Sequence, residues 1–166
     1  MRFSVVSRLI VSINSNELLT CYKIESLVLV KGGFCISPIG ERVGKADWKT
    51  EKHVPVIECD SVVKADTMFD VKVSVGKEIA HPNTVAHHIA WIALYFHADG
   101  DKFVHQIGRV DFMAHGEAIE APDVGPVHTH HQAVFTMATK KSGKLFAVAM
   151  CNIHGLWESE KEITVS

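Results

Sequence analysis

Near the C-terminus the chain reads CNIHGLWE, Cys151 to Glu158. A thiol and an imidazole at this spacing can reach one metal ion across a tight turn, and Gly155 removes side-chain bulk where the chain must bend. Such a turn also aims backbone N–H groups at the sulfur. Two other stretches supply further donors. KTEKHVPVIE carries Glu51, Lys52 and His53 beside Pro55, and HPNTVAHHI carries His81, His87 and His88. Pro82 keeps His81 extended and starts a turn, so a loop of this length brings His81 and His87 towards one point. With His53 and His154 the set becomes four imidazoles and the Cys151 thiolate. Structural zinc sites are closed and tetrahedral. Five protein ligands instead leave one position open on a six-coordinate ion, and iron with an axial sulfur is the natural occupant.

Each of these residues has an ordinary reading when taken singly: a surface or core histidine, a small buried thiol. The joint pattern carries the inference. VHTHH, with His128, His130 and His131, is a competing cluster, but no cysteine or carboxylate lies close to it in sequence, and it reads as a solvated loop. His97, His105 and His115 read as strand residues with ordinary hydrogen-bonding duties. His88 points away from His87 if the chain is extended there.

The elements that must position these groups are strands. FDVKVSVG alternates with a period of two and closes at Gly76. HIAWIALYF is apolar on both faces, which fits either a buried central strand or an oligomer contact. FVHQIGRVDFMAHG alternates so that Val104, Val110, Phe112 and Ala114 share a side. AVFTMATKKSGKLFAVAMC reads as a hairpin turning at Lys-Lys-Ser-Gly. No stretch after residue 50 has a helical period with caps. The expected architecture is all-β, an immunoglobulin-like antiparallel sandwich.

The chain has 166 residues, enough for one domain with a real core. Apolar residues make up 47% and charged residues 22%, and the net charge is −2, so neither a nucleic-acid-binding field nor an acidic tail is present. Eleven histidines are the compositional outlier, and histidine is the commonest metal ligand. Cys21, Cys35, Cys59 and Cys151 contain no CxxC pair, which points to a reducing, cytoplasmic setting. No apolar run is long enough to cross a membrane. Residues 1–43 form an extension of unknown role, without a clear secretory pattern, and residues 44–166 form the sandwich domain.

EKHVPVIE, HPNTVAHHI and CNIHGLWE, in this order, resemble the one-iron, neelaredoxin-type superoxide reductases, relatives of the desulfoferrodoxins. GRVDFMAHGE and KKSGKLFAVAMCNIHG resemble that family's core strands. The similarity runs from about Gly44 to the C-terminus, roughly three quarters of the chain. It implies one iron per subunit, cycling between Fe2+ and Fe3+, with equatorial His53, His81, His87 and His154 and axial Cys151. Glu51 matches a glutamate that occupies the open position in the oxidised resting state. Lys52 matches a lysine that draws in the anion and assists protonation. The implied reaction reduces superoxide by one electron to hydrogen peroxide, with a small redox protein such as rubredoxin as donor and a homotetramer as the assembly. Ala86 stands where members often have glutamate. The first forty residues lack the closely spaced cysteine pairs of a rubredoxin-like module, so a single iron is expected.

The same residues admit rival readings. Superoxide dismutation or plain electron transfer could use the same iron. A blue-copper carrier needs a weak axial ligand after the cysteine and histidine, and no methionine follows His154. A metal-stabilised interaction module leaves Glu51 and Lys52 without a reason.

Overall fold

The computed structural model describes residues 39–166. The expectations for Cys21 and Cys35, and for most of the N-terminal extension, lie outside the described residues. Among the described residues there is no helix, and the chain forms eight strands. β1 (Pro55–Glu58), β3 (Phe69–Val75) and β6 (Gln132–Met137) make a three-stranded antiparallel sheet in that order. The second sheet runs β2 (Val62–Val63), β8 (Gly155–Val165), β7 (Gly143–Cys151), β4 (Ile89–Ala98), β5 (His105–Asp111). The sandwich expected from the alternation is therefore present. One pair departs from it, since the short β2 runs parallel to β8.

Period-two patterning sets which side chains meet. In β6, Ala133, Phe135 and Met137 are buried while Gln132, Val134 and Thr136 are exposed. In β7, Leu145, Ala147, Ala149 and Cys151 are buried and the residues between them are half-buried. These faces close on Val71, Val73, Val75, Ile92, Leu94, Phe96 and Ile163 in one core. Each fully buried aliphatic side chain contributes about 1.5–3 kcal/mol. The same alternation delivers Cys151, the last residue of β7, onto the core side, whereas Met150 faces the other way.

HIAWIALYF is an interior strand of its sheet: β4 lies between β5 and β7. Its outer face is half-covered, with the Arg109 guanidinium 4.4 Å from the centre of the Trp91 ring.

Two expectations are corrected. The β6–β7 segment is not a hairpin, because β6 pairs with β3 and β7 pairs with β4 and β8. Both strands turn their apolar faces to the same core from opposite sheets, and the Lys-Lys-Ser-Gly turn carries the chain across. The grouping of Val104, Val110, Phe112 and Ala114 also fails. Val104 and Val110 are exposed, Phe112 is buried and Ala114 is half-buried. A bulge at Leu94/Tyr95 leaves Ile107 without a partner in the β4–β5 register, and Ile107 packs against the core instead. A bulge shifts the parity of what lies beyond it, which separates Val104 from the other three, whereas Val110 and Phe112 part because β5 ends between them, at Asp111.

Candidate metal centre

The donor residues sit on three connections. His53 occupies the turn entering β1, His81 and His87 lie between β3 and β4, and Cys151 and His154 flank the β7–β8 turn. The register aligns these ends: Pro55 faces Val75 in one sheet, and Cys151 faces both Ile89 and Gly155 in the other. Gly155 has φ +76°, a left-handed conformation that glycine adopts at no steric cost, and this tight reversal turns His154 back on Cys151. The His154 backbone N–H donates to Cys151 Sγ at 3.4 Å.

The His81–His87 loop is braced from inside and outside. The His87 N–H donates to Thr84 Oγ1 at 3.0 Å, and the Thr84 N–H donates to the His87 carbonyl at 3.0 Å. Asn83 Nδ2 donates to the Thr129 carbonyl at 2.6 Å, and the Val85 N–H donates to Asp123 Oδ1 at 2.6 Å.

His53, His81, His87 and Cys151 each offer a donor atom, and these atoms all lie within 4.8 Å of one another. His154 is outside that set, but its Nδ1 stands 3.0 Å from His53 Nε2 and 3.5 Å from Cys151 Sγ. Neighbouring nitrogens about 2.1 Å from a shared ion and at right angles are about 3 Å apart, so the His53–His154 separation fits a common ion. The Nε2 atoms of His81 and His87 are buried without a hydrogen-bond partner. A buried polar atom left unpaired is costly, and a metal ion removes that cost.

The other ring nitrogens fix the tautomers. His81 Nδ1 faces the Pro82 carbonyl at 2.7 Å and His53 Nδ1 faces Glu51 Oε1 at 2.6 Å. Donation there leaves each Nε2 with a free lone pair, the form that binds metal. Burial pushes the His81 imidazole down to about 4 and also lowers His87, whose protonation is further opposed by His154 and by Lys52. Both rings are therefore neutral at neutral pH. These residues fit a metal ion.

Glu51 is held by His53, accepting from its ring and from its backbone N–H. Burial would raise its carboxyl, but those hydrogen bonds and the nearby Lys52 charge bring it below the usual carboxylate range. Lys52 is half-buried at the site's edge. Trp157 lies under His53, with ring centres 5.0 Å apart and planes 17° from parallel. Gly44 backs the indole so closely that a Cβ there would come within 2.6 Å of it.

The remaining histidines divide. His128 and His130 are exposed, as a solvated loop requires, but His131 is 6% exposed and its ring stands edge-on to His81 at 5.8 Å. It shares the parity of Ala133, Phe135 and Met137, a signal already present in the alternation of β6. His115 is not a strand residue. It forms an isolated bridge with His128, is buried, and stacks on His88 at 3.7 Å. His88 thus does point to a different neighbour from His87.

An all-β sandwich with a histidine–cysteine cluster at its loop end defines a metal-binding protein. The desulfoferrodoxin family model matches residues 45–160, and the chain belongs to this family. It is 57% identical to neelaredoxin of Megalodesulfovibrio gigas over 120 residues, covering 72% of this chain and 92% of that protein. It is 53% identical to superoxide reductase of Pyrococcus furiosus over 122 residues, covering 74% and 96%. Its fold matches the reduced form of the superoxide reductase (neelaredoxin) from Archaeoglobus fulgidus with a TM-score of 0.68 at 52% identity, covering 74% and 98%. The family resemblance read from the three motifs is borne out.

Proposed function

We propose that this chain is a superoxide reductase whose iron is held by His53, His81, His87, His154 and Cys151. The observation that carries the reading is the convergence of buried, unpartnered imidazole nitrogens on the Cys151 sulfur, in a family whose relatives bear that name. Iron held by these residues, between Fe2+ and Fe3+, would supply the one electron that, with two protons, reduces superoxide to hydrogen peroxide.

The chain's own residues prepare that chemistry. Lys52 attracts the superoxide anion and raises its local concentration. Glu51 holds His53 in the tautomer that presents Nε2, and by the family resemblance its carboxylate would be a further ligand once bound iron is oxidised. The His154 N–H directed at Sγ draws electron density from the sulfur and moderates its donation. Residues 44–166 are the catalytic domain. A small redox protein such as rubredoxin is the donor and a homotetramer the assembly, both by analogy with the family. A cytoplasmic setting is part of this reading, and among the described residues Cys59 and Cys151 form no disulfide. No helix among the described residues is long and apolar enough to cross a membrane.

The test is stoichiometric. The reduced, iron-loaded protein receives a known pulse of superoxide without air, and peroxide and dioxygen are counted. One peroxide per superoxide, no dioxygen and iron oxidised in step is the expected result. Half a peroxide per superoxide, with dioxygen evolved and no net change in the iron, would establish a dismutase instead.

A further inference from the structure

We infer that Asn152 is a positioning residue, whose carboxamide fixes the spacing between the segments that carry His87 and Cys151. The inference rests on the ligand set proposed above. Asn152 follows Cys151 directly, and its side chain brackets His87 from both sides. Asn152 Oδ1 accepts from the His88 N–H at 2.9 Å, and Asn152 Nδ2 donates to the Ala86 carbonyl at 2.9 Å. The Asn152 backbone N–H adds a third bond, to the His88 carbonyl, at 3.1 Å.

These bonds stand where the sheet stops. Ile89 and Cys151 are the last paired residues of the β4–β7 ladder, and the register already slips between Ile89 and Trp91. Beyond that point one backbone bond, from the Asn152 N–H to the His88 carbonyl, still joins the two strands. The carboxamide adds to it, since one side chain offers an acceptor and a donor as a backbone peptide does. Aspartate keeps the acceptor and loses the donor, and it sets a carboxylate against the Ala86 carbonyl. Alanine loses both.

Asn152 is exposed, so its replacement opens no hole in the core. Hydrogen bonds at such a position contribute little to folding. Small displacements of metal ligands are far more costly to the metal, and outer partners of ligands typically carry about 10- to 100-fold in affinity. Folding and metal binding should therefore respond separately, which distinguishes positioning from general support of the fold.

The experiment compares full-length Asn152→Ala, Asn152→Asp and Cys151→Ser with the parent chain. Apo proteins are titrated with cobalt(II) and with ferrous iron against a competing chelator, the thiolate-to-metal absorption band is recorded, and apo melting temperatures are measured. Both Asn152 variants should bind about tenfold more weakly with a displaced band, while the apo melting temperature is nearly unchanged. Parent-like affinity and band in both would overturn the inference, and so would a loss confined to apo stability. If Asn152→Ala does not fold, the isosteric Asn152→Asp decides alone. Cys151→Ser separates the two levels. Should the band survive in it, the ligand set is wrong and this inference falls with it. Should the band vanish there while the Asn152 variants match the parent, only the role of Asn152 is lost.

Discussion

On the reading proposed above, side chains at the centre divide between those that hold an ion and those that meet the anion, and single substitutions separate the two. Lys52 follows Glu51 directly, and its charge opposes protonation of His87 and favours the ionised form of Glu51, which motivates its role toward an approaching anion. Lys52→Ala should slow superoxide capture about tenfold and flatten its salt dependence, because the screened charge is the one removed. Iron should remain bound. Pulse radiolysis across a salt series reads both effects, and an unchanged rate would remove Lys52 from the mechanism. Glu51→Ala strips His53 Nδ1 of its acceptor. The resting ferric spectrum should then move and the first encounter change little, whereas an unmoved spectrum would take Glu51 out of the resting site. The candidate donors were legible because residues able to ligate a metal announce themselves by type: cysteine, histidine and a turn glycine in CNIHG admit few uses. Asn152 was not, since an amide bracketing a ligand looks like a loop residue until the strands around it are paired, and the signal for His131 lay in the parity of β6, not in its own motif.

Strands fix where those residues stand, and here the alternation in sequence was informative about faces but not about partners. β3, β6 and β7 were readable because a buried face and an exposed face alternate without interruption. The false hairpin arose because a Gly-containing turn signals reversal without saying which sheet the chain enters next. In β5 the error came from one bulged residue and from the strand's end at Asp111, neither of which a composition rule locates. The turn glycine of the site gives a clean test at this scale. A Cβ on Gly155 would meet nothing within 4 Å, so the cost of Gly155→Ala is the left-handed backbone alone, about 1–2 kcal/mol, measurable by denaturant unfolding of the apo protein. Glu58 on β1 gives a second test. Lys77 and then Lys72 hold its carboxyl below its ordinary value of 4.5, and these pairs join β1 to β3 and to the start of the His81 loop. A lowered folded-state pKa means that the contribution is complete above 4.5 and is lost as pH falls through the folded value. Apo stability should therefore decline in acid, and Glu58→Gln should make that decline shallower. An identical acid profile would show that the pair contributes nothing.

The whole molecule couples a core and a metal site that are anchored at different levels of the same strands. Leu94 pairs with Ala147 in the β4–β7 ladder, and at about 3.3 Å per residue this places it about 13 Å along β7 from Cys151. Leu94 is fully buried, so Leu94→Ala should destabilise the fold by about 2–5 kcal/mol. Metal binds only the folded chain, because the donors come from three separate connections. Binding must then raise stability by an amount set by metal concentration and affinity. The apo and iron-loaded forms of the parent, Leu94→Ala and Cys151→Ser should consequently behave as a cycle. Leu94→Ala lowers the unfolding free energy of both forms equally and leaves the increment from iron intact. Cys151→Ser leaves the apo form close to the parent and loses most of the increment. Denaturant unfolding at fixed free iron measures all six values. A reduced increment in Leu94→Ala would mean that the sheets transmit core strain into the loops that hold the ligands, so that core packing and ligand geometry are not separable along these strands.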